Sequence, residues 1–182
     1  MSSEKKQKRL TKKSIIRRGV IISFLFGIVF FLFCWIHENY LIHPVAGTSM
    51  EVTLKDGDHV FLNKRSPIDR YSIIGFSVSG EEGMFVKRIL GMPGDAILIQ
   101  GNQLTLSVGD STFKTTYSFE LDSQVAKEMH GLKEIPSQSY FVMGDHVSVS
   151  KDSRFFGFVE GTEIEGKVQY EISSLTDIHP IN

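Results

Sequence analysis

The eighteen residues from Gly19 to Ile36, GVIISFLFGIVFFLFCWI, contain no charged side chain. At about 1.5 Å per residue they make a helix of about 27 Å, close to the thickness of a bilayer's hydrocarbon core. Such a run sets the plan of the chain: a basic tail over 1–18, a transmembrane helix over 19–36 and a body over 37–182. Eight Lys or Arg residues lie between Lys5 and Arg18. The positive-inside rule therefore puts the N-terminus in the cytoplasm and the body outside the plasma membrane, as a single-pass protein, with Trp35 and Tyr40 suited to the outer interface. A cleavable secretory signal has a shorter apolar region of about 7 to 15 residues and a small-residue cleavage site. The segment that follows here, HENYLIHPVAG, offers no clean site.

The net charge of −1 over 182 residues hides an uneven distribution. Beyond Ile36, twelve basic residues stand against twenty acidic ones, so the body carries about −8. An acidic body excludes nucleic acid as the partner, because phosphate binding needs a basic face; the basic tail suits the surface of the lipid bilayer. The one cysteine, Cys34, lies inside the apolar run. The body therefore has no disulfide, no thiolate metal site and no cysteine nucleophile. Its six histidines show no HExxH or close metal-ligand pairing, and neither a metal nor a cofactor is expected.

Past His37 the chain reads as short strands punctuated by turns: HVFLN, SIIGFSV, MFVKRIL, AILIQ, LTLSV, SYFVMG and EGKVQYEI. The QGNQ between two of these runs signals a hairpin, with Gly101 and Asn102 supplying positive φ. Residues 111–136 are polar, with DSQVAKEMH able to form one or two helical turns, and read as an insertion. No βαβ alternation appears, so the fold expected is mainly β: an external, β-rich body of antiparallel strands behind one N-terminal transmembrane helix.

With no cysteine, metal motif or nucleotide loop, a nucleophile has to come from Ser, Thr or a carboxylate. Ser49, in AGTSMEVTLKDGD, is one candidate, and the ordinary alternative is a turn serine. A serine hydroxyl needs a base, and no histidine stands in a triad context. A neutral lysine can serve. In GMFVKRILGMPGD, strand alternation puts Lys87 on one face with Phe85 and Ile89, and Arg88 on the other with Val86. An apolar setting disfavours ammonium and tunes a lysine toward that role; the alternative is a solvated strand charge. In VMGDHVSVSKDSRFFGFV, Asp152 and Arg154 are spaced to pair and Ser150 to hydrogen-bond a neighbour. Alone this is an ordinary loop ion pair, but Phe155, Phe156 and Phe158 hem it in, so the network must be satisfied.

Taken together, an apolar anchor, GTSMEVTLKDGD, FVKRILGMPGD and GDHVSVSKDSRFFGFV, in that order, resemble the type I signal peptidase family, membrane-anchored Ser-Lys proteases of the bacterial surface. The resemblance runs from the anchor to about residue 170 and is weak over 111–136. It implies a serine endopeptidase that removes signal peptides with small residues, Ala-x-Ala-like, from exported preproteins. It implies Ser49 as nucleophile, its own N–H as oxyanion donor, Lys87 as general base, Ser150 orienting that lysine, and Asp152 with Arg154 bracing the site. Met50 and Val86 are expected to contact substrate. Gly47 stands where some relatives use a serine as a second oxyanion donor. Val52 stands where the family usually has proline, and His146 where asparagine usually follows Gly-Asp; a restricted clientele, such as a pilus or surface-fibre system, fits these departures. The chief rival is a non-proteolytic, membrane-anchored assembly factor on the same scaffold. A self-cleaving repressor-type Ser-Lys protease is disfavoured by the anchor.

Overall fold

The computed structural model describes residues 2–81, 83–109, 111–174 and 176–181, with side chains from Arg17 onward. The side chains of the basic stretch before Arg17 lie outside the described residues. By contacts the chain forms two compact units, Met1–Asn39 and Tyr40–Asn182.

The first unit is one helix, α1 (Ser2–Asn39). Within it Arg17–Asn39, 23 residues, is long and apolar enough to cross a membrane, and none of its apolar window is covered by protein. The helix runs past Ile36, the end expected from the apolar run. Asn39 extends it by donating from Nδ2 to the Trp35 carbonyl at 2.6 Å, occupying an acceptor that the last turn leaves open.

The second unit is β-rich, and every pairing between its strands is antiparallel. The larger sheet contains β1 (Tyr40–Pro44), β2 (His59–Asn63), β3 (Ile73–Phe76), β4 (Phe85–Gly91), β8 (Ser139–Met143), β9 (Val159–Glu160), β10 (Ile164–Ser174) and β11 (Asp177–Pro180). Its order is β1-β2-β10-β3-β4-β8-β9, with β11 also on β10. A smaller sheet has the order β5 (Ile97–Gln100), β6 (Gln103–Ser107), β7 (Thr116–Glu120). The pleat explains the burial: in β2, Val60 and Leu62 point inward while His59 is exposed. In β3 all four residues are buried.

Three apolar clusters make the core. Met50, Leu54, Val60, Leu62, Ile73, Val86 and Val168 pack under the loop that carries Ser49. Ile74, Phe76, Ile89, Val142 and Val159 form a second cluster. The third lies between the smaller sheet and β8, and includes Leu104, Leu106, Val125, Ile135 and Phe141.

One expectation changes, in the hairpin at Gly101, and the segment 111–136 shows how it is packed. Residues 111–136 are built into the body: Tyr117 and Phe119 of β7 and Val125, Ala126 and Met129 around the short helix α2 (Ser123–Glu128) pack into the third cluster. Asp122 caps α2, its side chain accepting from the Gln124 N–H at 2.8 Å. In the Gln100–Gln103 hairpin only Gly101 has positive φ, +59°; Asn102 does not, and its carbonyl accepts from the Leu121 N–H at 2.8 Å, which ties it to the chain after β7.

Candidate active site

Ser49 sits in a tight turn between β1 and β2. The Glu51 N–H donates to the Thr48 carbonyl at 3.1 Å, and the Thr53 and Leu54 N–H groups donate to the Met50 carbonyl at 3.0 and 2.8 Å. Met50 and Leu54 anchor the turn, being 1% and 0% exposed in the core beneath it. Burying two such side chains contributes about 1.5–3 kcal/mol each. Ser49, just before Met50, is left half-buried at the surface. Its own N–H has no acceptor among the described residues, so the amide is free to serve a ligand. The turn holds one strained residue. Val52 has φ +89° and is fully exposed, a backbone state that β-branched side chains rarely adopt.

Lys87 comes from the middle of β4 and is only 4% exposed. Its Nζ lies 2.6 Å from Ser49 Oγ and donates to the Val86 carbonyl at 3.1 Å. The Phe85 ring lies on the same strand face, 5.8 Å from Nζ. Burial lowers the lysine pKa to about 8, against the pull of the Asp152 and Asp145 charges, which raise it. An amine so placed is neutral in a substantial fraction of molecules near pH 8, the form that can accept a proton from a hydroxyl it touches.

Two ion pairs frame this contact. Asp152 is 0% exposed. Its carboxylate accepts from Arg154 Nε at 2.8 Å, from Arg154 Nη2 at 3.0 Å and from the Gly144 N–H at 3.2 Å. Arg154 Nη2 also donates to the carbonyls of Val147 at 2.7 Å and Ser150 at 3.1 Å, which gathers the 144–154 loop around one guanidinium. The second pair lay outside the sequence reading. Arg88, on the opposite strand face from Lys87, donates to Asp145 from Nε at 2.9 Å and from Nη2 at 2.7 Å. Thr53 Oγ1 donates to the same carboxylate at 2.5 Å. Burial raises the Asp145 pKa, but the Arg88 and Thr53 hydrogen bonds outweigh it and hold the carboxyl below the usual range. The signal was available in the KR dipeptide: alternation sends the second basic residue to the far face, where it needs an acid.

Ser150 departs from expectation. It is buried, but among the described residues its Oγ has no hydrogen-bond partner; the contacts of Lys87 Nζ run to Ser49 Oγ and Val86 O instead. Ser150 packs on Gly144, and the approach is so close that a Cβ at 144 would collide with Ser150 Oγ and lie 2.5 Å from the Ser49 carbonyl. Glycine is required there. Beside the Ser49–Lys87 contact runs an open cleft of about 420 Å³, lined by Ala46, Gly47, Gly83, Met84, Met50 and Val86 among others. Among the described residues no group of three or more His, Cys, Asp or Glu side chains is placed to hold a metal.

An antiparallel β body with a serine hydroxyl against a desolvated lysine, beside a cleft lined in part by small and apolar residues, defines the class: a hydrolase-like site in which a hydroxyl and a buried amine touch. Residues 15–172 match the family model described as signal peptidase, peptidase S26. The chain is 34% identical to a signal peptidase I of Bacillus caldolyticus, over 75% of this chain and 79% of that one. It is 29% identical to a signal peptidase IB of Staphylococcus aureus strain COL, over 87% and 90%. A crystal structure of a signal peptidase I from Enterococcus faecalis V583 aligns with a TM-score of 0.39 at 24% identity, covering 56% of this chain and 97% of the other. The chain belongs to the signal peptidase family, peptidase S26, and is an enzyme, a hydrolase of the serine protease type.

Proposed function

We propose that the chain cleaves signal peptides from exported preproteins with Ser49 as nucleophile and Lys87 as general base. The observation that carries this is the 2.6 Å contact between a free hydroxyl and a buried amine. Neutral Lys87 takes the Ser49 proton as Oγ attacks the scissile carbonyl, and the Ser49 N–H stabilises the oxyanion. The resulting ammonium gives its proton to the leaving amine, and the new mature N-terminus departs. Lys87, neutral again, then activates the water that hydrolyses the acyl ester. Asp152 with Arg154 and Asp145 with Arg88 hold the surrounding loops. The cleft takes an extended chain with small side chains before the cut, and Met50 and Val86 form part of its wall. Arg17–Asn39 crosses the bilayer once, with the N-terminus in the cytoplasm and the body outside.

The test mixes purified, detergent-solubilised protein with a model preprotein. Ser49→Ala and Lys87→Ala each lower kcat by at least about a thousandfold, and the double variant is no worse, because the two groups act as one unit. Residual cleavage within tenfold of wild type by either variant rejects the assignment. Leucine in place of alanine just before the scissile bond stops cleavage; equal rates reject the small-residue preference. Added protease digests the body on intact protoplasts, and its protection reverses the orientation.

A further inference from the structure

His146 follows Asp145 in the loop that faces the Ser49 turn. Its backbone N–H donates to the Ser49 carbonyl at 3.0 Å. Its ring Nδ1 lies 3.3 Å from the Thr48 carbonyl and 3.6 Å from Glu51 Oε2. A carbonyl only accepts, so the tautomer that bonds the Thr48 carbonyl carries its proton on Nδ1, and the Glu51 carboxylate stands just beyond hydrogen-bond reach. The Thr48 carbonyl belongs to the same rigid, trans peptide plane as the Ser49 N–H, and the two bonds point in opposite directions. The Glu51 N–H already donates to that carbonyl at 3.1 Å, and the ring adds a second pull that sets where the amide aims.

We infer that His146 is a positioning residue for oxyanion binding: its Nδ1–H holds the Thr48 carbonyl and thereby aims the unpaired Ser49 N–H at the reacting carbonyl. The inference rests on Ser49 being the nucleophile. Gly47 brings no side-chain donor to the turn, so the site depends the more on one well-aimed amide. The ring acts as a donor and takes no proton from the serine, since Lys87 already occupies Oγ. An asparagine amide can donate across a similar reach; alanine and leucine cannot. Substitution leaves the backbone contact to Ser49 in place, and the ring is 40% exposed, so the fold does not depend on it.

The experiment measures kcat, KM and the pH profile of full-length solubilised protein on a model preprotein. His146→Ala and His146→Leu lower kcat roughly tenfold, less than the 10²–10³ lost when an oxyanion donor is deleted outright. KM stays within about twofold of wild type, since the contact acts on the transition state. The rise of rate through pH about 8 stays where Lys87 puts it. His146→Asn restores kcat to within about twofold of wild type. Wild-type kcat in the alanine and leucine variants, a loss confined to KM, or failure of asparagine to restore kcat overturns the inference. Ser49→Ala, run alongside, separates the two claims: if it is dead while His146→Ala is unimpaired, only the role of His146 falls, and if it cleaves, the nucleophile assignment falls first.

Discussion

As the proposed base, Lys87 sets the pH at which cleavage runs, and its burial also weakens the fold. Its pKa of about 8 lies below the ordinary 10.5 because it is buried. Only the neutral amine is a base, so kcat/KM rises about tenfold per pH unit below 7 and levels above 8. A limb centred near 6.5 instead would point to a histidine. The stability effect has the opposite partner. A lysine depressed in the folded state makes the unfolded chain bind more protons between pH 8 and 10.5, so stability rises with pH across that window and the full penalty stands below it. That penalty is roughly 3 kcal/mol. Lys87→Met therefore melts higher than wild type at pH 7 while being inactive, and the gain shrinks toward pH 10; calorimetry at the two pH values checks it. Val52 holds a second local strain. Its φ of +89° excludes proline, whose ring fixes φ near −65°. Val52→Gly raises the melting temperature, by roughly 1 kcal/mol in stability once the added freedom of the unfolded chain is counted. Val52→Pro, the residue usual in the family at this place, lowers it. Reversed signs would show that the turn adopts another backbone.

Between residues and fold, the 144–154 loop acts as one element because Asp152 and Arg154 close it. The carboxylate is wholly buried and the guanidinium reaches two loop carbonyls. Asp152→Ala and Arg154→Ala each cost about 3–5 kcal/mol, since either leaves an uncompensated partner, and each also lowers kcat by loosening the contacts to Ser49. Urea melts paired with cleavage rates check this; a variant equal to wild type in both removes the bracing role. That Asp152 and Arg154 pair was legible in their spacing and in the phenylalanines around them. Arg88 with Asp145 was not, because the acid comes from a distant segment and alternation says only which face the arginine takes. Strands were legible where apolar residues recur every second position, as in HVFLN and LTLSV. β1, β7, β9 and β11 were missed: β1 is short and ends in proline, β7 shows only half-buried Tyr117 and Phe119 between exposed residues, β9 has two residues and so no alternation to read, and all of β11 is exposed. Residues 111–136 looked like an insertion because their apolar members are few, yet those few enter the core.

For the whole molecule, the buried clusters draw on residues from Val45 to Val168 and, among the described residues, on none of α1. Deleting 1–39 therefore leaves the body folded, with a melting temperature within about 2 °C of the full chain, less than a 1 kcal/mol change produces at this size. The truncated body cleaves a short soluble peptide as before but loses rate on a precursor in vesicles, where sharing a membrane raises the effective concentration of substrate. Unfolding of the truncated body would contradict the division. The separation of core from helix also bears on inheritance. Arg17–Asn39 answers only to length and oiliness, so drift can rewrite it almost letter by letter, and bilayers of different thickness can be met by adding or removing a turn. The body answers to individual positions such as Gly144, which has no room for a Cβ, and Asp152, which is wholly buried beside its arginine. Within one gene, two stretches thus change on separate clocks.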